Sequence, residues 1–240
     1  MRVAMFADVH GSELALRAVL DDVRSVGVDA MYCLGDLATL GPSPRAAIDT
    51  LAQSGCACVL GNHDEMVLDP RLARRYTDAK VVLDAIDWCA DRLSEADRDF
   101  LRGLRPECRI DLDGRTVLGF HGTPRSNVED LIATTPPEVV DEFLDGRSAS
   151  VIVGGHTHVQ MIRQHRGILL VNVGSVGLPF REYAGGGRPA LMLDHAEYAI
   201  IDGVDGGPVT VSLRRVPIDS QAVSRAVEAA ERPVQAVLLG

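Results

Sequence analysis

Aromatic residues are scarce in this sequence, and so are several other features that mark particular classes of protein. They make up only 4% of the 240 residues, which argues against a stacking platform for single-stranded nucleic acid. A formal net charge of −10 argues against a broad basic surface for DNA or an anionic membrane. No stretch reaches the roughly 18 apolar residues that a membrane-spanning helix requires. These absences predict a soluble globular protein.

The five cysteines form no recognisable framework. Their number is odd and no zinc-finger spacing is present. Cys33, Cys56 and Cys58 lie in apolar runs, so we expect small buried hydrophobic residues in a reducing compartment. The first seven residues are too short for a signal peptide and run directly into Asp8. We therefore expect a cytoplasmic protein.

The length fits one large α/β domain over residues 1–240. Apolar periodicity in the first third predicts strands alternating with helices, which implies right-handed crossovers and parallel pairing. The predicted strands are 3–7, 30–34 and 57–60, and the predicted helices are 13–26 and 44–52. In such sheets, ligand groups gather at the carboxyl ends of the strands.

The rest of the chain predicts helices first and antiparallel strands later. Residues 66–102 have a helical pattern, and Asp113-Gly114 is a strong hairpin signal between strands 108–111 and 116–120. Further predicted elements are a helix at 136–144, strands at 151–153, 161–164, 168–173, 191–194, 198–201 and 209–216, and a last helix at 220–231. The glycine-rich loop 184–188 is expected to be mobile.

Five short motifs place polar, metal-capable side chains where predicted strands end, and they contain five of the seven histidines. The motifs are Asp8-Val9-His10, Gly35-Asp36, Gly61-Asn62-His63-Asp64, His121-Gly122 and Gly155-His156-Thr157-His158. Singly, most are weak signals, because a buried aspartate is more often a cap or turn residue. On extended backbone, residues two apart point the same way, so Asp8 and His10 would face one ion, as would His156 and His158.

Taken together, the motifs predict a metal centre. Carboxylate, imidazole and amide oxygen suit ions such as Mn, Fe, Zn or Ni better than magnesium alone. No cysteine joins the set, which disfavours a structural thiolate zinc site. The donors exceed what one tetrahedral ion requires and suit two ions that share a bridging carboxylate.

The series D-x-H, GD, GNH-[DE], H-G and G-H-x-H resembles that of the calcineurin-like metallophosphoesterase superfamily, in order over residues 8–158. The segment 172–177 is similar to one in its small prokaryotic, phosphodiesterase-like branch. The resemblance implies an α/β fold, a β-sandwich of two mixed sheets flanked by helices. It also implies two metal sites that share Asp36, formed by Asp8, His10, Asp36 and His158, and by Asp36, Asn62, His121 and His156.

By the same resemblance, His63 would stay off the metals and face the leaving group, and Asp64 would either orient His63 or serve as a turn residue. Two ions roughly 3.5–4 Å apart lower the pKa of a bridging water, whose hydroxide would attack phosphorus. His63 would protonate or hydrogen-bond the leaving oxygen. The expected substrate is a small phosphodiester or phosphomonoester, including nucleotides, with neither extended nucleic acid nor a membrane as partner.

The sequence departs from some relatives in an informative way. Ser/Thr protein phosphatases and symmetrical dinucleoside tetraphosphatases carry an arginine after the GD motif and another before the GNH motif. Here residues 35–42 contain no arginine and Leu60 precedes Gly61, which disfavours a protein phosphatase. Arg125 and Arg181 are expected at the surface, and His165 and His195 are given no chemistry. The alternatives are a catalytically weak binding or scaffold module, as in the retromer subunit, and a nucleotide-binding regulator; the intact motifs favour the enzyme.

Overall fold

The structure is a computed structural model that describes residues 1–184, 190–204 and 207–238. The strands are β1 Arg2–Phe6, β2 Ala30–Cys33, β3 Ala57–Cys58, β4 Glu107–Leu112, β5 Arg115–Phe120, β6 Val151–Gly154, β7 Met161–His165, β8 Ile168–Asn172, β9 His195–Asp202 and β10 Thr210–Pro217. The helices are α1 Glu13–Val26, α2 Pro44–Ser54, α3 Asn62–Leu68, α4 Pro70–Tyr76, α5 Lys80–Arg92, α6 Glu95–Arg102, α7 Pro137–Leu144, α8 Ser220–Ala229 and α9 Arg232–Leu238.

The strands form two five-stranded sheets, ordered β10-β9-β1-β2-β3 and β4-β5-β6-β8-β7. In the first, β1, β2 and β3 are parallel, whereas β9 and β10 are antiparallel to their neighbours. In the second, β5, β6 and β8 are parallel, and the outer strands β4 and β7 are antiparallel. The predicted β-sandwich of two mixed sheets flanked by helices is confirmed.

Alternation along the strands produces the layers, because successive side chains of a strand point to opposite faces. Val3 and Met5 of β1 belong to a buried cluster that also contains Val117 and Val151 of the second sheet, so this cluster lies between the sheets. Ala4 and Phe6, on the opposite face of β1, pack with the buried residues of α1, α2 and α5. The outer face of the second sheet is buried in the same way against α7.

Some predicted elements differ from the structure. Residues 191–194 do not form the predicted strand; Met192 makes only an isolated bridge with Phe180, and Leu191 is 51% exposed. The run does pair with residues 179–181, through Arg181 N–H to Leu191 O and Leu193 N–H to Pro179 O, but this pairing is too short to form a strand. A second C-terminal helix, α9, follows the predicted one. The Asp113-Gly114 hairpin is confirmed, with both residues at positive φ. The predicted mobile loop 184–188 lies, apart from Ala184, outside the described residues.

The five cysteines are free, with Cys33 buried and Cys56 and Cys58 half-buried. Among the helices of the described residues, none combines the length and the apolar character needed to cross a membrane.

Candidate metal centre

The first group of metal-capable side chains consists of Asp8 and His10, which follow β1, and His158, which follows β6. One ligand atom from each lies within 4.8 Å of the others, and all three residues are buried. The Nε2 atoms of His10 and His158 are 3.1 Å apart, and His158 Nε2 is 3.3 Å from Asp8 Oδ1. The structure thus brings together residues that are separated by 148 positions in the chain.

The second group consists of Asp36 after β2, His121 after β5 and His156 after β6, whose ligand atoms also lie within 4.8 Å of one another. Asn62, the first residue of α3, completes it. Its Oδ1 lies 2.8 Å from His121 Nε2 and 3.1 Å from His156 Nδ1. All seven residues predicted as ligands are therefore found at one edge of the sandwich.

Asp36 lies between the two groups. Its Oδ2 is 3.7 Å from His10 Nε2 in the first group and 3.3 Å from His121 Nε2 in the second. Its other oxygen, Oδ1, accepts the backbone N–H of His63 at 2.9 Å. One carboxylate oxygen is thus left facing both groups.

Three of the histidines are oriented by a contact at the ring nitrogen that faces away from the centre. Such outer contacts fix which nitrogen of a ligating imidazole carries the proton and which is free to bind. The Nδ1 atoms of His121, His158 and His10 lie 2.7, 2.7 and 3.1 Å from Leu34 O, Leu178 O and Thr39 Oγ1 respectively. Their Nε2 atoms consequently face the centre.

His156 is reversed, with Nδ1 toward Asn62 and Nε2 outward. The Nε2 atom lies 3.3 Å from Asp130 Oδ1, but the geometry is not that of a hydrogen bond, and the atom has no partner among the described residues. Asp130 in turn accepts the Tyr183 hydroxyl at 2.6 Å. Sequence reasoning missed Thr39, Asp130 and Tyr183, because none of them stands in a motif after a strand.

The electrostatics of the two groups favour a cation. Burial opposes ionisation of Asp36, but the neighbouring imidazoles, His121 foremost, outweigh it and hold the pKa of this carboxyl well below its usual value. Burial also acts against the charged form of His121, yet the carboxylate of Asp36 raises the pKa of this imidazole to about 10. Carboxylates that favour positive charge at a buried imidazole provide a field that also suits a metal ion.

Unpartnered atoms test whether a metal fits. Asp8 Oδ1 is buried and, within the described parts of the chain, has no hydrogen bond, although Nε2 of His158, His10 and His121 lie 3.3, 3.8 and 3.9 Å away. A buried carboxylate oxygen is costly unless it is paired. A cation among these atoms would satisfy the oxygen and the facing imidazole lone pairs together. The residues present therefore fit divalent metal ions.

The backbone of these residues corrects the reasoning from extended strands. Asp8, His10, His156 and His158 have φ values of 57°, 46°, 69° and 58°, and Asp36 has 59°. All five are in the left-handed region, which is uncommon for residues other than glycine. His156 and His158 consequently point into different groups, not to one side of an extended segment. Asp8 and His10 do share a group, but not for the predicted reason.

Two glycines permit the close approach of the carboxylates. A Cβ at Gly155 would lie 2.6 Å from Asp8 Oδ2, and one at Gly61 would contact the Asp36 carboxylate. The backbone N–H of His156 also binds Asp8 Oδ2, at 2.9 Å, and so ties the two sheets together at the centre. Any larger residue at Gly155 or Gly61 would displace the carboxylates of Asp8 or Asp36.

His63 stands beside the two groups without belonging to either. Its ring is edge-on to that of His10, with the centroids 5.0 Å apart, and its Nδ1 lacks a hydrogen bond within the part of the chain that is described. Burial, together with the nearby imidazoles, lowers the pKa of the His63 ring, although Asp36 opposes this. Its role belongs to the proposal below.

Asp64 does not orient His63, although it follows it directly. Its carboxylate accepts the backbone N–H groups of Asp36 at 2.9 Å, Leu37 at 2.8 Å and Gly61 at 2.9 Å. Of the two roles considered for Asp64, the structure thus favours the one that shapes the turns. It clamps the loop that carries Asp36 to the start of α3.

Replacing Asp64 with asparagine is expected to destabilise the metal-free protein by about 2–3 kcal/mol, because an amide NH₂ would face backbone donors that need an acceptor. Chemical denaturation in the presence of a chelator measures the effect. Asp49→Asn, the same change on an exposed position of α2, should stay within about 0.5 kcal/mol of the wild type. Equal stability of the two variants would show that the clamp is unimportant.

The residues to which the sequence assigns no chemistry are exposed or have partners of their own. Arg125 is exposed and pairs with Glu129, and Arg181 is exposed. His165, the last residue of β7, has its Nε2 atom 2.8 Å from Oδ1 of Asp141 on α7.

Comparison with known proteins agrees with this geometry. The model of the calcineurin-like phosphoesterase superfamily domain matches residues 1–197. An uncharacterised protein of Methanocaldococcus jannaschii is 26% identical over 208 residues, covering 85% of this chain and 83% of that protein. A hypothetical protein from Pyrococcus horikoshii has a similar structure, with a TM-score of 0.80, 19% identity and coverage of 99% of this chain and 97% of that chain.

A metallophosphoesterase from Sphaerobacter thermophilus is similar over 100% of this chain and 98% of that chain, with a TM-score of 0.73 and 24% identity. At these identities the structural likenesses establish a shared fold, here with small archaeal and bacterial proteins. The family match is broader evidence, because it spans all five motifs. The chain belongs to the calcineurin-like phosphoesterase superfamily.

Proposed function

We propose that this protein is a hydrolase that cleaves a phosphoester bond of a small phosphorylated molecule, with two divalent metal ions as cofactors. The observation that carries the proposal is the pair of donor groups that meet at Asp36 Oδ2. Two donor groups on either side of one carboxylate would hold two ions, and two-metal sites are typical of enzymes that hydrolyse phosphate esters. A single structural ion would not need two groups.

We assign Asp8, His10, Asp36 and His158 to one ion, and Asp36, Asn62, His121 and His156 to the other. The mixture of oxygen and nitrogen donors suits Mn, Fe, Zn or Ni. When bound, such ions lower the pKa of coordinated water and neutralise phosphoryl oxygens. The remaining work falls to the protein, which must orient the ester and assist the leaving oxygen.

His63 is assigned to the leaving oxygen. It lies next to both groups but outside them, and its backbone is held by Asp36 Oδ1. The lowered pKa of its ring favours the neutral imidazole near pH 7, whose N–H can donate a hydrogen bond as negative charge develops. The unpartnered Nδ1 of this ring leaves it free to serve a ligand.

The absence of arginines next to two of the motifs supports a small substrate. Residues 35–42, which contain the GD motif, have no arginine, and the residue before the GNH motif is the half-buried Leu60, whereas phosphoprotein phosphatases carry arginines in both places. Without those cations, the charge of the phosphoryl group would be balanced mainly by the metals. We therefore favour small phosphodiesters or phosphomonoesters, nucleotides included, over phosphoproteins.

Metal analysis followed by an activity screen tests the proposal. Protein purified without chelator should contain close to two transition-metal ions per chain. After loading with Mn, Fe, Zn or Ni, it should hydrolyse bis-p-nitrophenyl phosphate or p-nitrophenyl phosphate, and a chelator should abolish that activity. The same screen compares cyclic nucleotides and dinucleoside polyphosphates.

The outcomes separate the enzyme from the scaffold alternative. Two bound ions without turnover on any ester would favour a binding module. Failure to bind ions, even after reconstitution, would refute the metal assignment itself.

A further inference from the structure

A cleft beside the metal centre is lined by several of the few aromatic residues of the chain. The sequence has one tryptophan, four tyrosines and five phenylalanines. Three of them, Tyr76, Phe180 and Tyr183, line a cavity of about 190 Å³ together with Asp130 and His156. We call this cavity the aromatic cleft. Such a concentration of rings is unexpected in a protein with so few.

The aromatic cleft lies on the accessible side of the centre. Asp8, Asp36 and His121 are at most 1% exposed, whereas His63 is half-buried and the side chain of His156 is 5% exposed. His156 is shared, because it faces Asn62 through Nδ1 and also lines the cleft. A phosphoester that reaches the metals past these two histidines would therefore have its organic group next to the cleft.

The rings form walls that suit a flat ligand. Phe180 stacks on the ring of His158, with centroids 4.4 Å apart and an interplanar angle of 29°. Tyr76 is 47% exposed, and its ring centroid is 6.4 Å from that of His156. An exposed aromatic face next to a reaction centre offers stacking to a planar group, and every nucleobase has such a face.

The polar atoms of the cleft point to the kind of ring. If Nδ1 of His156 binds a metal, Nε2 of the same ring carries the proton and is a hydrogen-bond donor. This donor has no hydrogen bond within the described chain, although the side chain is only 5% exposed. Asp130 Oδ1, an acceptor, is 3.3 Å from it, whereas Asp130 Oδ2 is already bound by the Tyr183 hydroxyl. A nucleobase with a ring nitrogen next to an exocyclic amino group is complementary to this pair. Its ring nitrogen would accept from His156 and its amino group would donate to Asp130.

We propose that the aromatic cleft binds an amino-bearing nucleobase, such as adenine or cytosine, so that the substrate of this phosphoesterase is a nucleotide. The inference rests on the proposed function, which supplies the phosphoester chemistry. It adds a subsite in which Tyr76 stacks on the base while His156 and Asp130 read its edge.

A matched pair of substrates tests the subsite. Adenosine 5′-monophosphate and ribose 5-phosphate present the same ester and differ in the base; their methyl diesters replace them if the enzyme prefers diesters. Stacking predicts a kcat/KM about tenfold higher for the nucleotide, mainly through KM. Inosine 5′-monophosphate, which has a keto group in place of the amino group, should fall between the two. Equal values for nucleotide and sugar phosphate would overturn the inference while leaving the phosphoesterase intact.

Variants of Tyr76 check that the preference arises in the cleft. Tyr76→Leu should reduce the ratio between the two substrates to less than about threefold, because stacking supplies most of it. Tyr76→Phe should keep the ratio, since the ring remains. Val204→Ala, at a 58% exposed position that does not line the cleft, should also keep it. A ratio unaffected by Tyr76→Leu would contradict the assignment.

A binding measurement keeps the test independent of turnover. Adenosine titrated into the metal-loaded protein should bind saturably by calorimetry, ribose should not, and Tyr76→Leu should weaken the adenosine affinity about tenfold. Adenosine binding without hydrolysis of any ester would support the cleft and refute the proposed function. No difference between adenosine and ribose would refute the cleft.

Discussion

Replacing His63 with alanine is expected to lower turnover by about 10²–10³-fold, the range of a lost general acid or hydrogen-bond donor. The imidazole lies against the ring of His10 and belongs to neither metal-facing group. The variant should therefore keep close to two ions per chain. Its remaining activity would come from the metals and the positioned ester alone.

Steady-state kinetics on two esters checks this role. The loss should be larger for an alkyl ester than for a p-nitrophenyl ester, because a poor leaving oxygen needs more assistance. His195→Ala provides the matched control, since His195 Nε2 lies 3.2 Å from Glu197 at the start of β9 and outside both groups. Unchanged turnover in His63→Ala would remove its catalytic role, and loss of the ions would show that it acts through the metals.

Replacing Asp36 with asparagine is expected to weaken both ions together and to abolish turnover. Asparagine keeps an oxygen that can accept the His63 N–H, but it removes the negative charge that faces both groups through Oδ2. Affinity should fall by at least about 100-fold at each site, because loss of an outer-shell partner alone costs about 10–100-fold.

Calorimetric titration of the metal-free protein with Mn or Zn resolves the two binding events. Asp8→Asn is the comparator, because Asp8 belongs to one group only, and this change should affect one ion first. Selective loss of a single ion in Asp36→Asn would contradict the bridging assignment. Equal effects of the two variants would mean that the groups do not bind independently.

The place of the candidate site could be predicted from the sequence because it depends on local patterns. Apolar runs locate strand ends, and parallel strands bring those ends to one edge. Asp8, Asp36 and His121 follow such runs directly. The spacing of the histidines could not predict which of the two groups each one joins. That division depends on the left-handed backbone at His156 and His158, which tertiary contacts impose.

Asp64 shows a different limit of sequence reasoning. The sequence left open whether Asp64 orients His63 or serves as a turn residue. Residues from Asn62 onward begin α3, and neighbours in a helix point about 100° apart. His63 therefore faces the centre, while Asp64 turns toward the backbone of Asp36 and Gly61.

A lineage released from selection for this centre would become more stable by losing it. Holding a side chain at positive φ costs about 1 kcal/mol or more per residue, and glycine relieves that cost. The strained backbone at five positions therefore lowers the stability of the metal-free protein while it places the metal-capable side chains. These positions are Asp8, His10, Asp36, His156 and His158. Descendants that lose the centre should carry glycines at the histidine positions first, because Asp8 and Asp36 also accept the backbone N–H groups of His156 and His63. Thermostability screens that ignore activity should select the same substitutions.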